Sequence, residues 1–143
     1  MIDSILLVDD ENLFHLVFED SCSLLDITLS LRSLDSADEA AKLFAEWQKD
    51  PTNRPECVFV DLNIIGSSFD GIELIRKINF EYGNHVVIGI ISSSNEPDEQ
   101  AKAVQAGAQF WIIKSDEIEP RLEEFKKDYE GFKNRTQPFK VYK

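Results

Sequence analysis

Four short runs of apolar, β-forming residues constrain this chain more than any other feature, because each is cut off by a polar or charged side chain. Cys57-Val58-Phe59-Val60 ends in Asp61, Ile5-Leu6-Leu7-Val8 in Asp9-Asp10, Val86 to Ile91 in Ser92-Ser93-Ser94, and Phe110-Trp111-Ile112-Ile113 in Lys114. An unbroken apolar run is what a strand covered on both faces of a parallel sheet requires. If the four strands are parallel, their terminal acids, hydroxyl and ammonium meet on one rim. Ligands of open α/β sheets bind outside that edge.

The intervening segments read mainly as helices. Glu11 to Leu25 places Leu13, Leu16 or Val17, and Leu24 at helical spacings, which predicts a first helix buried through those residues. Ile27 to Leu34 alternates Ile27, Leu29 and Leu31 with Thr28, Ser30 and Arg32, the pattern of a half-buried edge strand. Ser36-Ala37-Asp38-Glu39 has capping-box order and opens a second helix running to Trp47. Asp50 to Pro55 is a loop by its prolines and turn formers. Asp70 caps a third helix, Gly71 to Tyr82, with Ile72, Ile75 and Ile78 on one face and Gly83-Asn84 as its stop. Pro97 suits the first turn of a fourth helix that meets Gly107 at its end. Glu117 to Asn134 is the fifth, apolar at Ile118, Leu122, Phe125 and Tyr129. Five strands alternating with five helices define an α/β domain with one parallel sheet, right-handed crossovers and helices on both faces. Residues 1–134 form that domain and 135–143 a tail or linker.

A chain of 143 residues, 43% hydrophobic with ten Phe, buries enough surface to fold without disulfide or metal. Its net charge of -12 is uneven, -15 over residues 1–120 and +3 over 121–143. The acidic body argues against direct DNA binding and favours a divalent cation as guest. The basic end reads as a solvated helix face followed by a frayed terminus, with an interaction arm as the alternative. Cys22 and Cys57 show no close pairing, and Cys57 begins an apolar run, so a reducing cytoplasm is expected. No stretch approaches the roughly 20 apolar residues of a membrane span, and no leader-like region precedes the first run.

Clustered carboxylates with a backbone carbonyl suit Mg²⁺, a hard cation that keeps several waters. Asp9, Asp10 and Asp61 supply the carboxylates. With the cation bound, Asp61 becomes a candidate nucleophile toward phosphorus. Lys114 would share the charge on the transferred oxygens and Ser92 would hydrogen-bond one of them. Each residue alone has a plainer role: Asp10 or Asp61 as a helix cap, Ser92 to Ser94 as a polar loop, Lys114 as a solvated lysine.

Taken in order, these residues resemble the receiver domain of two-component response regulators, over roughly Ser4 to Asn134. The resemblance implies the flavodoxin-like fold known from the bacterial chemotaxis regulator, a doubly wound five-stranded parallel sheet of order 2-1-3-4-5 with five helices. Asp9 and Asp10 match the family's paired acids, Asp61 its phosphoacceptor, and Asn63 the residue whose backbone carbonyl ligates the metal. Asp70-Gly71 matches the pair that opens the third helix, Ser92 the hydroxyl after the fourth strand, and Ala106-Gly107-Ala108 the signature before the fifth. Counting from that signature makes Lys114 the family's lysine and Trp111 its switch aromatic. The implied function is Mg²⁺-dependent phosphorylation of Asp61 by a histidine kinase or phosphotransfer protein, which switches binding to a downstream protein target. Ser92 would move toward the phosphoryl group, Trp111 would turn inward, and a homodimer is one possible output. Catalysis would be limited to the domain's own phosphorylation and dephosphorylation.

Three departures stand out. The loop after Asp61 is slightly long and lacks a proline at Ile64-Ile65. Ser115 replaces the proline that follows the family's lysine with a cis bond; a cis bond before Ser costs about 3 kcal/mol, so either a trans bond with Lys114 repositioned or a strained cis bond is expected. Trp111 is bulkier than Tyr or Phe and could instead be a partly buried surface aromatic. These departures leave room for an adaptor that works without phosphorylation. An aspartate-nucleophile phosphohydrolase of the haloacid dehalogenase type is a third reading, opposed by Asn63 where that type has its acid. His15 and His85 have no partner pattern and are read as ordinary surface or core residues.

Overall fold

The computed structural model describes residues 2–28, 30–64 and 70–143. Its elements run β1 (Ile5–Val8), α1 (Asn12–Leu24), β2 (Leu31–Leu34), α2 (Ala37–Lys49), a 3-10 turn (Pro51–Asn53), β3 (Cys57–Asp61), α3 (Gly71–Tyr82), β4 (Val87–Ser92), α4 (Pro97–Ala106), β5 (Phe110–Ile113), α5 (Glu119–Lys133) and β6 (Lys140–Tyr142). The strands form one parallel sheet of order β2-β1-β3-β4-β5-β6. This is the flavodoxin-like order with one strand more than the sequence predicted. The segment expected to fray instead pairs with β5, Trp111 opposite Val141 and Ile112 opposite Tyr142. Three residues were too short a run to read as a strand; the edge of β5 supplies the missing partner.

Alternation along each strand divides the core into two layers. Leu6, Val8, Val58, Val60, Ile88, Ile90 and Trp111 face α2, α3 and α4. Ile5, Leu7, Cys57, Phe59, Ile91, Phe110 and Ile112 face α1 and α5. The second layer is aromatic: the Phe59 ring lies 5.0 Å from Phe18, 5.1 Å from Phe110 and 5.3 Å from Phe125. Tilted and edge-to-face contacts at these separations add to the burial of each ring. Gly89 on β4 completes the packing, since a Cβ there would lie 2.5 Å from the Phe110 ring.

The helix caps follow their sequence signals. Ser36 accepts from the Glu39 N–H, and Asp70 with Glu73 forms a capping box at α3. α3 is buried through Leu74, Ile75, Ile78 and Tyr82, with Ile72 half-buried at its edge. The face assigned to α1 is corrected. Leu13, Leu16 and Leu24 are 74%, 59% and 71% exposed, while Phe14, Phe18 and Cys22 are buried and Val17, the alternative to Leu16, is half-buried against the same layer. Two apolar stripes fit helical spacing in this segment, and the aromatic one wins because the Phe59 and Phe125 rings lie beneath it. β2 sits at the sheet edge as expected but spans only Leu31–Leu34, with Thr28 bridged to Ile2. Leu29 lies outside the described residues. Residues 65–69 do too, with most of the loop expected to be long.

Gly89→Ala is expected to destabilise the fold by about 1–3 kcal/mol through overpacking against Phe110. Urea unfolding measures this, and adding Phe110→Leu should recover part of the loss.

Candidate functional site

The parallel register brings the four strand ends together. Val8 is level with Val60, Asp61 with Ile91 and Ser92 with Ile113, so Asp9, Asp61, Ser92 and Lys114 leave the sheet on one edge. The Lys114 N–H donates to the Ser92 carbonyl at 2.7 Å, which ties the last two positions together.

Asp9 is fully buried, and its two oxygens have different duties. Oδ1 accepts the Glu11 N–H at 2.8 Å, starting the turn into α1. Oδ2 is ion-paired with Lys114 Nζ at 2.8 Å but lacks hydrogen-bond geometry. Lys114 Nζ also lies 3.1 Å from Glu11 Oε2, 3.8 Å from Asp61 Oδ2 and 4.5 Å from the centre of the Phe14 ring. Ligand oxygens of Asp9, Asp10 and Asp61 lie within 4.8 Å of one another. Asp61 is 7% exposed. Gly71 shapes the floor beneath it: a Cβ at that position would fall 2.1 Å from the Asp61 carbonyl oxygen. The Gly71 N–H donates to the Leu62 carbonyl, so α3 starts in direct contact with the end of β3.

Crowding and burial shift the protonation of Asp61. Burial, then the Asp9 charge, pushes the Asp61 carboxyl up to about 7; Lys114 opposes this, Asp10 adds to it, and the Asn63 N–H bonded to Asp61 lowers it slightly. Burial pulls the Lys114 ammonium down, but its close contact with Asp9 and the charges of Asp61 and Asp9, with Glu11, outweigh this and leave it raised. One ammonium therefore offsets only part of the negative charge. A divalent cation fits the donor set: all three side chains offer hard oxygens, and buried Asp9 Oδ2 has spare acceptor capacity facing the cluster.

Every rim residue singled out in the sequence lies at this edge, except that Trp111 belongs to the interior. It is fully buried, and its indole N–H donates to the Ser94 carbonyl at 3.0 Å. The reading of Trp111 as a partly exposed surface aromatic is therefore corrected. No cis peptide bond occurs among the described residues. The Lys114–Ser115 bond is trans, and Lys114 still reaches Asp9. Ser115 Oγ accepts from the Glu117 N–H at 3.2 Å and from Arg121 at 2.6 Å, bracing the turn into α5.

Four contributors were given no role at this edge in the sequence. Glu11 pairs with Lys114, the His15 ring donates from Nε2 to the Asp9 carbonyl, and Phe14 lies under the Lys114 ammonium. The four-residue spacing of Glu11 and His15, on a helix starting beside Asp10, is a signal that places both toward the rim. Ser94 is the fourth. Its N–H donates to Ser92 Oγ at 3.1 Å and its hydroxyl to Glu99 at 2.7 Å. His85 is exposed and precedes β4, at the end of that strand opposite Ser92.

The response regulator receiver domain profile matches residues 5–123, and the chain belongs to that family. Receiver domains of two-component systems are signalling modules, not conventional enzymes. Similar solved structures include NtrX from Brucella abortus, 24% identical with a TM-score of 0.76 over 94% of this chain and 29% of that one. The Mn²⁺-bound form of response regulator Rcp1 is 20% identical with a TM-score of 0.68, covering 91% and 93% of the two chains. The phosphorylated cyanobacterial phytochrome response regulator RcpA is 19% identical with a TM-score of 0.70, covering 95% and 96%. No curated protein matches the chain. At these identities the neighbours establish the fold. No helix among the described residues is long and apolar enough to cross a membrane.

The raised Asp61 pKa gives a signed prediction. A carboxyl whose folded pKa exceeds its unfolded value contributes stability below the unfolded pKa and loses it as pH rises through the folded one. Metal-free protein should therefore lose stability between about pH 4 and pH 7 through this group. Asp61→Asn should remove that loss, and its advantage at pH 8 is expected to be of order 2 kcal/mol. Thermal unfolding of both proteins in chelator from pH 5 to pH 8 measures it; the gap should widen with pH.

Proposed function

We propose that the chain is a phosphoacceptor of a two-component phosphorelay, with Asp61 as the phosphorylated residue and Mg²⁺ held by Asp9, Asp10, Asp61 and the backbone carbonyl of Asn63. The observation that carries this reading is the set of three carboxylates within 4.8 Å, backed by a half-buried lysine at the end of β5. Such a cluster is costly without a compensating charge. It is useful where a phosphoryl group and a cation must share one site.

In the proposed reaction an Asp61 carboxylate oxygen attacks the phosphorus of a phosphohistidine. The new P–O bond forms as the P–N bond breaks, and the imidazole leaves with the bonding electrons and takes up a proton. Bound Mg²⁺ would supply charge neutralisation for the transferred oxygens. Lys114 offers its ammonium to the same oxygens, and Ser92 its hydroxyl. His15 and Glu11 hold the Asp9 carbonyl and the lysine in place. The phosphodonor is a histidine kinase or phosphotransfer protein, and a downstream protein target reads the product. A cytoplasmic setting agrees with two free, buried cysteines. DNA contact by this acidic domain and membrane attachment are not part of the reading.

Leu13 and Leu16 support a docking role for α1. Both are exposed, and Leu13 lines the same surface cleft as Lys114, Ser115 and Asp116. An apolar stripe at the mouth of the site suits a helical phosphodonor. The fully buried Trp111 favours a second reading, an adaptor that works without phosphorylation. Mg²⁺ binding separates the two.

Incubation with Mg²⁺ and acetyl phosphate should add one phosphoryl group to the intact mass. Asp61→Asn and chelator should each abolish the gain, and a wild-type chain that binds no Mg²⁺ and gains no mass would leave the adaptor. Leu13→Asp with Leu16→Asp should slow transfer from a phosphorylated kinase at least tenfold, about 1.4 kcal/mol of docking energy. Labelling by acetyl phosphate should remain unchanged in that variant.

A further inference from the structure

β6 is the one element that neither the rim nor the five-stranded sheet accounts for. We propose that this strand reports the state of Asp61: docking of residues 139–142 on β5 and a phosphoryl group on Asp61 stabilise each other. The proposal rests on the phosphoacceptor reading above.

The contacts form a continuous path. Ser92, 2% exposed, ends β4 beside the strand that carries Asp61. Its Oγ accepts the Ser94 N–H, and the Ser94 carbonyl accepts the Trp111 indole N–H. Trp111 pairs with Val141 across the β5–β6 ladder, and Phe139 and Val141 pack against the core layer that contains the indole. Trp111 is fully buried within this packing. A hydroxyl that accepts one hydrogen bond still has its own hydrogen to donate. When Asp61 carries an anionic group, Ser92 has a charged acceptor for that hydrogen without releasing Ser94. The charge-assisted bond fixes Ser92, and through it Ser94, the indole and the strand laid against it.

The strand is built to detach without unfolding the domain. It has three residues and lies at the sheet edge. Its fastening to α5 is largely polar: Lys140 Nζ lies 2.9 Å from Asp128 and 3.0 Å from Glu124, and the Tyr142 hydroxyl donates to Asp128 at 2.6 Å. Tyr142 supplies the apolar anchor, its ring 5.8 Å from Phe125. Short peripheral elements of this kind open locally at far lower cost than the core. Reciprocity then applies: whatever Asp61 occupancy contributes to docking, docking returns to Asp61 occupancy.

Beryllofluoride with Mg²⁺, a phosphoryl mimic, tests both directions on the full chain. In the wild type, saturating mimic should slow amide exchange at Val141 and Tyr142. Asp128→Asn and Tyr142→Ala, which leave the rim untouched, should speed that exchange and weaken mimic binding in calorimetry roughly fivefold or more. Variants with a freely exchanging β6 that bind the mimic as the wild type does would overturn the proposal. So would wild-type exchange that the mimic leaves unchanged, and this measurement decides if a variant does not fold. A wild type that binds no mimic at all refutes the phosphoacceptor reading, and the coupling with it.

Discussion

The mutual repulsion of the rim carboxylates, and the single ammonium set against it, is the constraint around which this structure is organised. Asp9 and Asp61 are both buried, and Asp10 lies within ligand distance of them. Charges brought this close in a low-dielectric setting interact far more strongly than in water. Lys114 answers by contacting Asp9, Glu11 and Asp61 at once. Burial, together with the remaining imbalance, raises the Asp61 carboxyl to about 7. A site in that condition is poised to accept positive charge and to use a carboxylate near neutrality.

Holding such a cluster requires a rigid frame, and the sheet provides it from two sides. Each contributing strand is buried on both faces, so the ends of β1, β3, β4 and β5 cannot shift without disturbing both core layers. Close packing of this kind resists small displacements. The helices add local fixtures: Asp9 caps the turn into α1, and the glycine at the start of α3 lets that helix rest on the Asp61 carbonyl. Several residues thus serve the fold and the site together. For Asp9, starting the turn into α1 and belonging to the acidic cluster are not alternatives.

Two features lie outside the carboxylate cluster: the exposed leucines of α1 beside the rim and the strand on the β5 edge. The leucines of α1 remain outside because Phe14 and Phe18 occupy the interior face. β6 covers the β5 edge and extends the sheet past the five strands read from the sequence. It also shields a sheet edge that would otherwise offer unpaired backbone groups to other chains.

The apolar runs and what ends them determined the parallel sheet, its central strands and the identity of the rim residues, because period and composition are local properties. Asp61, Asp9, Asp10, Ser92 and Lys114 were legible for that reason, as were the caps at Ser36 and Asp70. Other outcomes needed the assembled molecule. The sequence of α1 offers two apolar stripes, and only the aromatic layer beneath it decides between them. Lys140 to Tyr142 carries too little signal for a strand until β5 presents an edge and Asp128 a polar fastening. Trp111 is buried because the sheet extends beyond it. Glu11, His15 and Ser94 joined the site through a helix start and a loop whose directions are set by packing. Strand identity was written in the chain, whereas the choice of buried face and the closing of the sheet were tertiary decisions, since both depend on surfaces contributed by residues distant in sequence.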